Sequence, residues 1–185
     1  MLLYHFTSKY PLPFILDEGL TRGDVPISKN ESTQAVNLTT ESRAHHQKHN
    51  KTSYFLFMGK KHKLDKTEIR ITVEIPEIEP LLIHWPDFTK KMNMESAWLQ
   101  HLHRPTNDNG EAWYLLFKSI SPDQFAKIEF NVNDNGKWQD INTLTEPIKL
   151  VTDKFMFKTS ADVEGLKITR IPQDEFISQY FNESL

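Results

Sequence analysis

The chain contains no cysteine, which removes disulfides, thiolate metal sites and a cysteine nucleophile at once. No apolar run approaches the roughly 20 residues that a membrane-spanning helix needs. The opening stretch, MLLYHFTSKY, lacks the charged start and long apolar run of a secretory leader. A soluble, cytoplasmic protein is therefore expected. Glycine is scarce, six in 185 residues, and none falls in the Gly-x-x-x-x-Gly-Lys spacing that cradles phosphates. A Gly-x-Ser-x-Gly nucleophile elbow is missing as well. Strong basicity is also absent. The net charge is −3 and the pI about 6.2, unlike the basic balance of a dedicated nucleic-acid binder.

What is present argues for one folded domain over residues 1–185. Hydrophobic residues make up 38% and charged residues 25%, enough apolar matter for a core and too little charge for a disordered chain. The basic clusters Lys60-Lys61-His62-Lys63 and Lys90-Lys91 read as a solvated loop and a solvated helix face. His45 and His49 have one-face helical spacing, but a zincin pattern needs Glu where His46 stands, and Arg43 and Lys48 oppose a cation. No metal site is expected. His101 and His103 read as favourable charges at a helix end.

Residues 2–6 form a short apolar strand. Pro13 then opens a helix over 14–18 that Gly19 stops. A polar loop is expected over 21–32, a strand over 35–38, and an aromatic strand over 53–58. Ile69, Ile71, Val73 and Ile75 alternate with polar residues, the mark of a half-buried strand. Phe88, Met92, Leu99 and Leu102 share one face of a helical stretch that opens at Pro86 and breaks near Asn93. A strand over 112–117 follows, then a helical turn at Ser121-Pro122. Two strands, 126–132 and 137–141, flank the hairpin signal Asn133-Asp134-Asn135-Gly136. Strands over 155–158 and 166–171 and a closing helix over 174–181 complete the chain. Many short strands with few helices imply an α+β domain built from two small packed sheets. Residues 145–185 form a C-terminal extension.

The N-terminal region carries the functional signal. It reads Leu-Tyr-His-Phe-Thr-Ser, then a helix ending Ile-Leu-x-x-Gly-Leu, a Gly/Pro loop, and Ala-Val-Asn-Leu-Thr-Thr. This resembles the start of ADP-ribosyltransferase-fold proteins, in the branch with a His on the first strand. DNA-targeting ADP-ribosyltransferase toxins and RNA 2′-phosphotransferases belong to that superfamily. The likeness covers the first 40 residues well and positions 68–141 loosely.

The resemblance implies a split β-sandwich with flanking helices that binds NAD in a cleft and consumes it as substrate. The matching triad positions are His5, Thr39 (or Thr40) and Glu111. Glu111 would hold the ribose 2′-hydroxyl and stabilise positive charge as the nicotinamide–ribose bond breaks through an oxocarbenium-like state. His5 would bind a ribose hydroxyl or the nicotinamide amide, with Thr7 on the same strand face. Thr39 and Thr40 would support Glu111 or shape the pocket floor. Arg22, beside Gly23, would pair with the pyrophosphate, and Tyr54 or Phe55 would stack on nicotinamide. The loop 106–110 would select the acceptor. An acid two positions before the catalytic Glu favours arginine acceptors in this superfamily. Asn109 stands there, so the acceptor is expected to be a protein, nucleic acid or small molecule other than arginine. Three alternatives share the fold: an NAD- or partner-binding module without turnover, an NAD glycohydrolase, and an RNA 2′-phosphotransferase. The last needs a basic pocket, which the sequence does not show.

Overall fold

A computed structural model describes residues 1–21, 23–44, 54–57, 60–63, 65–103, 110–132, 137–143 and 169–181. The first strand, β1 (Leu2–Thr7), leads through a short turn into α1 (Leu12–Glu18). Pro13 sits in the first helical turn, where its missing N–H leaves nothing unpaired. Leu12 and Ile15, three apart, are the two buried residues of that helix. Gly19 ends it with φ +84° and donates its N–H to Ile15 O at 2.9 Å. No other residue fits there, because a Cβ at Gly19 would lie 2.2 Å from the Ile120 carbonyl oxygen.

Two strands follow, β2 (Gly23–Pro26) and β3 (Glu31–Thr39), then a separate two-stranded ribbon, β4 (Tyr54–Phe57) with β5 (Lys60–Lys63). Next come β6 (Ile69–Glu74), β7 (Leu82–His84), α2 (Trp85–Lys91) and α3 (Ser96–His103). The described chain closes with β8 (Trp113–Leu116), β9 (Phe125–Val132), β10 (Lys137–Asp140), β11 (Thr169–Arg170) and α4 (Gln173–Phe181).

The expected α+β class is met, but the expected pair of small sheets is not. Nine strands form one mostly antiparallel sheet, whose main path runs β10-β9-β6-β1-β3-β8-β7. Strand β3 is its spine. It pairs with β8 along Val36–Thr39, with β2 along Ser32–Ala35, and in parallel with β11 at Glu31 and Ser32. Each face of the sheet carries its own core. On one face Leu3, Val36, Leu38, Ile69, Ile71, Val73 and Leu116 meet α1. On the other, Leu115 meets Trp85 and Phe88 of α2 and Phe176 and Phe181 of α4. Fully burying each such side chain contributes roughly 1.5–3 kcal/mol.

Several sequence expectations are refined. The β6 alternation holds: Ile69, Ile71 and Val73 are completely buried. The helical stretch after Pro86 is two helices, and the break is Asn93, whose φ is +48°. The polar loop over 21–32 instead contains β2 and the start of β3, because backbone pairing to a neighbouring strand overrides local polarity. The solvated loop at Lys60–Lys63 is a strand paired with β4. β7 had no sequence signal of its own; it is recruited by pairing with β8. His103 does stand in the last turn of α3, and its Nε2 accepts the Trp85 indole N–H at 2.9 Å. The hairpin holds, with Val132 facing Lys137. The expected strand over 155–158 and the histidines 45, 46 and 49 lie outside the described residues.

On the sheet face opposite α1, Arg70 ties several strands together. Its guanidinium donates to Glu129 Oε2 at 2.6 and 2.9 Å and to the Ser42 carbonyl, and lies over the rings of Tyr4 and Trp138. Burial pushes the Glu129 carboxyl up, but hydrogen bonds and charge from Lys127 and Arg70 outweigh it and hold it below the usual range. This stabilisation is present above the ordinary carboxylate pKa and is lost as pH falls through the depressed one.

The Gly19 position gives a direct test of the α1 seat. Gly19→Ala is expected to destabilise the fold by more than about 1 kcal/mol, read from the urea midpoint, because both the backbone angle and the Ile120 carbonyl oppose a Cβ. An unchanged midpoint would contradict this packing.

Candidate functional site

Strand β1 is fastened unequally on its two edges. Against β6 it pairs at every residue from Leu2 to Thr7. Against β3 it pairs only at Tyr4 and Thr39. Where that ladder stops, a cleft of about 360 Å³ opens between the strands and beneath α1. Its walls are His5 and Thr7 of β1, Val36 and Asn37 of β3, Phe14, Ile15 and Glu18 of α1, and the segment Gly19–Thr21 with Gly23. The volume falls within the roughly 300–1,000 Å³ of small-molecule pockets, and the mix of an apolar floor with a few polar groups is typical of them.

His5 bridges the split. Its Nδ1 lies 2.9 Å from the Asn37 carbonyl oxygen. A carbonyl can only accept, so Nδ1 carries the proton and Nε2 is left as the acceptor of a neutral ring. Enclosure by the cleft walls disfavours the imidazolium and lowers the His5 pKa from 6.5 to about 4, against the Asn37 hydrogen bond that raises it. The charge of Lys66 lowers it further. Lys66 is itself held below its ordinary value by burial.

The residues expected to form one site fall into two groups. His5, Thr7 and Gly23 line the cleft. Gly23 leaves room for the Asn37 side chain, whose Nδ2 would lie 2.7 Å from a Cβ there. Thr39, Thr40 and Glu111 gather one strand further on, at the end of the β3–β8 pair. Tyr4 and Thr39 are direct partners and share a sheet face, so alternation points His5 to the other face. His5 and Thr39 therefore do not form one wall, as the resemblance implied. The Thr39 hydroxyl instead accepts the Glu41 N–H at 3.1 Å and turns the chain out of β3. Thr40 donates its N–H to Ala112 O at 2.9 Å. Glu111 is exposed on the turn before β8, its carbonyl accepting from His84 Nε2 at 2.7 Å. None of these three is part of the cleft lining. Arg22 and Asn109 lie outside the described residues, and Tyr54 is placed by its backbone alone in β4.

Of the lining residues, only His5, Thr7 and Gly23 were assigned to a site from sequence; Phe14, Glu18 and Asn37 are among those it did not assign. Glu18 immediately precedes the helix-stopping Gly19, so the Ile-Leu-x-x-Gly-Leu segment itself bracketed it. Asn37 looks like an ordinary outward strand residue, and only the parting of β1 from β3 gives it a cleft to face. Among the described lining residues, Glu18 carries the one formal charge. Among the described residues, no group of three or more His, Asp or Glu could hold a metal ion, and no helix is long and apolar enough to cross a membrane. Comparisons with protein-family models, curated proteins and solved structures gave no match, so the functional reading rests on these residues.

The His5 tautomer can be checked by NMR. Its imidazole resonances should titrate with a midpoint near 4, not 6.5. Because the folded pKa lies below the unfolded one, the unfolded chain binds the extra proton first. His5 should thus contribute stability above pH 6.5 that is lost as pH falls toward 4. A midpoint near 6.5 would show that the ring is solvated.

Proposed function

We propose that the chain is an NAD-consuming enzyme of the ADP-ribosyltransferase type, which breaks the nicotinamide–ribose bond and passes ADP-ribose to an acceptor. The observation that carries this reading is the cleft at the β1–β3 split, with a neutral His5 fixed across it. His5 Nε2 accepts a hydroxyl proton, which suits a ribose. Phe14, Ile15 and Val36 offer apolar contact to a flat ring, while Thr7, Thr21 and Asn37 add hydrogen-bonding groups. The cleft suits a nucleoside-sized part of a dinucleotide, with the remainder extending beyond its mouth. Arg22, between the lining residues Thr21 and Gly23, is the proposed partner of the diphosphate.

Cleavage moves the bonding electron pair onto the ring nitrogen, so neutral nicotinamide leaves and positive charge grows on the ribose. A carboxylate beside the sugar stabilises that charge. The resemblance gives this role to Glu111. Asn109 carries no charge to pair with a guanidinium, so the proposed acceptor is not arginine. Water as acceptor would make the protein a glycohydrolase with the same residues. RNA 2′-phosphotransfer ranks lower, because no described lining residue is a Lys or Arg that could take the 2′-phosphate.

One observation favours a second reading. Glu111 stands outside the cleft lining, as expected of a module that binds NAD or ADP-ribose without turnover.

Incubation with labelled NAD and cell lysate separates these readings. The enzyme should release nicotinamide and label a macromolecule, whereas a binding module should retain NAD intact. His5→Ala should weaken NAD binding about fivefold to tenfold by calorimetry, the value of one hydrogen bond. Neither binding nor release by the wild type would overturn both readings. In the same assay agmatine should remain unlabelled, and its labelling would refute the non-arginine assignment.

A further inference from the structure

We infer that Glu18, rather than Glu111, is the carboxylate that faces the ribose in the cleft, an assignment that rests on the NAD-cleaving reading above. Glu18 lines the same cleft as His5, Thr7 and Asn37, while Glu111 lies on a turn at the end of the neighbouring strand pair. The position of Glu18 is well determined by its helix. Leu12 and Ile15 anchor α1 in the core, and Gly19, against the Ile120 carbonyl, fixes where the helix ends.

Nothing among the described residues calls for an acid at this position. The last turn of α1 carries no basic residue, and the exposed carbonyls of a helix C-terminus disfavour a negative charge. No described residue forms an ion pair or hydrogen bond with the Glu18 carboxylate. An acid placed against the helix dipole, without a partner among the described residues, at the edge of a cleft is positioned for a ligand. Its charge is the one formal charge among the described lining residues, and its sign complements the cationic nicotinamide ring but not the diphosphate. The nicotinamide ring of NAD is cationic before cleavage, and the positive charge passes to the ribose as the bond breaks.

The C1′–N bond breaks, its electron pair goes to the ring nitrogen, and neutral nicotinamide leaves. An acceptor hydroxyl, water included, supplies the electron pair for the new C1′–O bond, and its proton passes to solvent. Glu18 stabilises the positively charged sugar between these two events and is not itself consumed.

The test compares Glu18→Gln with Asp17→Asn in full-length protein, following nicotinamide release over a range of NAD concentrations. Glu18→Gln should lower kcat at least about a hundredfold while KM changes little, because it removes a charge that acts mainly in the transition state. Asp17→Asn, at the exposed neighbouring position outside the cleft lining, should stay within a few-fold of wild type. The Glu18 side chain is exposed and Gln is isosteric, so folding should be unaffected, and an unchanged urea midpoint would verify this. Wild-type rates in Glu18→Gln, or an effect on KM alone, would overturn the assignment and leave the NAD-cleaving reading intact. Binding of NAD by wild type without release would overturn it in favour of the binding module. Absence of both would overturn it together with the NAD reading.

Discussion

The cleft exists because β1 forms a full ladder with one neighbour and a single pair with the other. Backbone N–H and C=O groups removed from water must find partners, and β1 satisfies this demand along β6. On its β3 side it pairs once, at Tyr4 and Thr39. Below that pair, side chains and α1 take over what a continuous ladder would have filled. His5 partly restores the missing connection by donating to the Asn37 carbonyl, and that same bond fixes its tautomer. One interruption in pairing thus creates the cavity, exposes Asn37 to it and orients the imidazole.

Two cores on opposite sheet faces keep this interruption from spreading. The α1 face packs the aliphatic row of β1, β3 and β6, and the other face packs an aromatic group in which Phe117 stacks on Phe176 with ring centroids 5.1 Å apart. Because β3 carries side chains into both, it is held from both sides while one of its edges lies open. A strand with a single packed face would have freedom to close against β1. The buried aliphatic side chains of β6, on the far side of β1, hold β1 in the same way.

The parts of this architecture written in local patterns were legible. Ile69, Ile71 and Val73 alternate with polar residues, Pro13 and Gly19 bracket a short helix, and Asn133 to Gly136 separates two strands that do pair. Elements that exist only through a partner were not. β2 contains Gly23, Asp24 and Pro26 and becomes a strand because β3 offers it hydrogen bonds; β7 depends on β8 in the same way. The site divides similarly. His5 and Thr7, two apart on one strand, could be assigned to a common face from periodicity alone. Placing Thr39 on that face could not succeed without the register, which pairs it with Tyr4. Glu18 was hidden for another reason: it sits at the end of a helix whose orientation over the cleft comes from packing, not from spacing.

Arg70 adds a consequence of its own. Its guanidinium rests over Tyr4 of β1 and bonds the Ser42 carbonyl just past the end of β3, so it spans both sides of the split from the rear of the sheet. Glu129, held by Lys127 as well, keeps it in place. The opening between the two strands is therefore braced from behind before any guest arrives. Were a ligand to enter there, little ordering of the backbone would remain to be done, so more of the contact energy would be available as affinity.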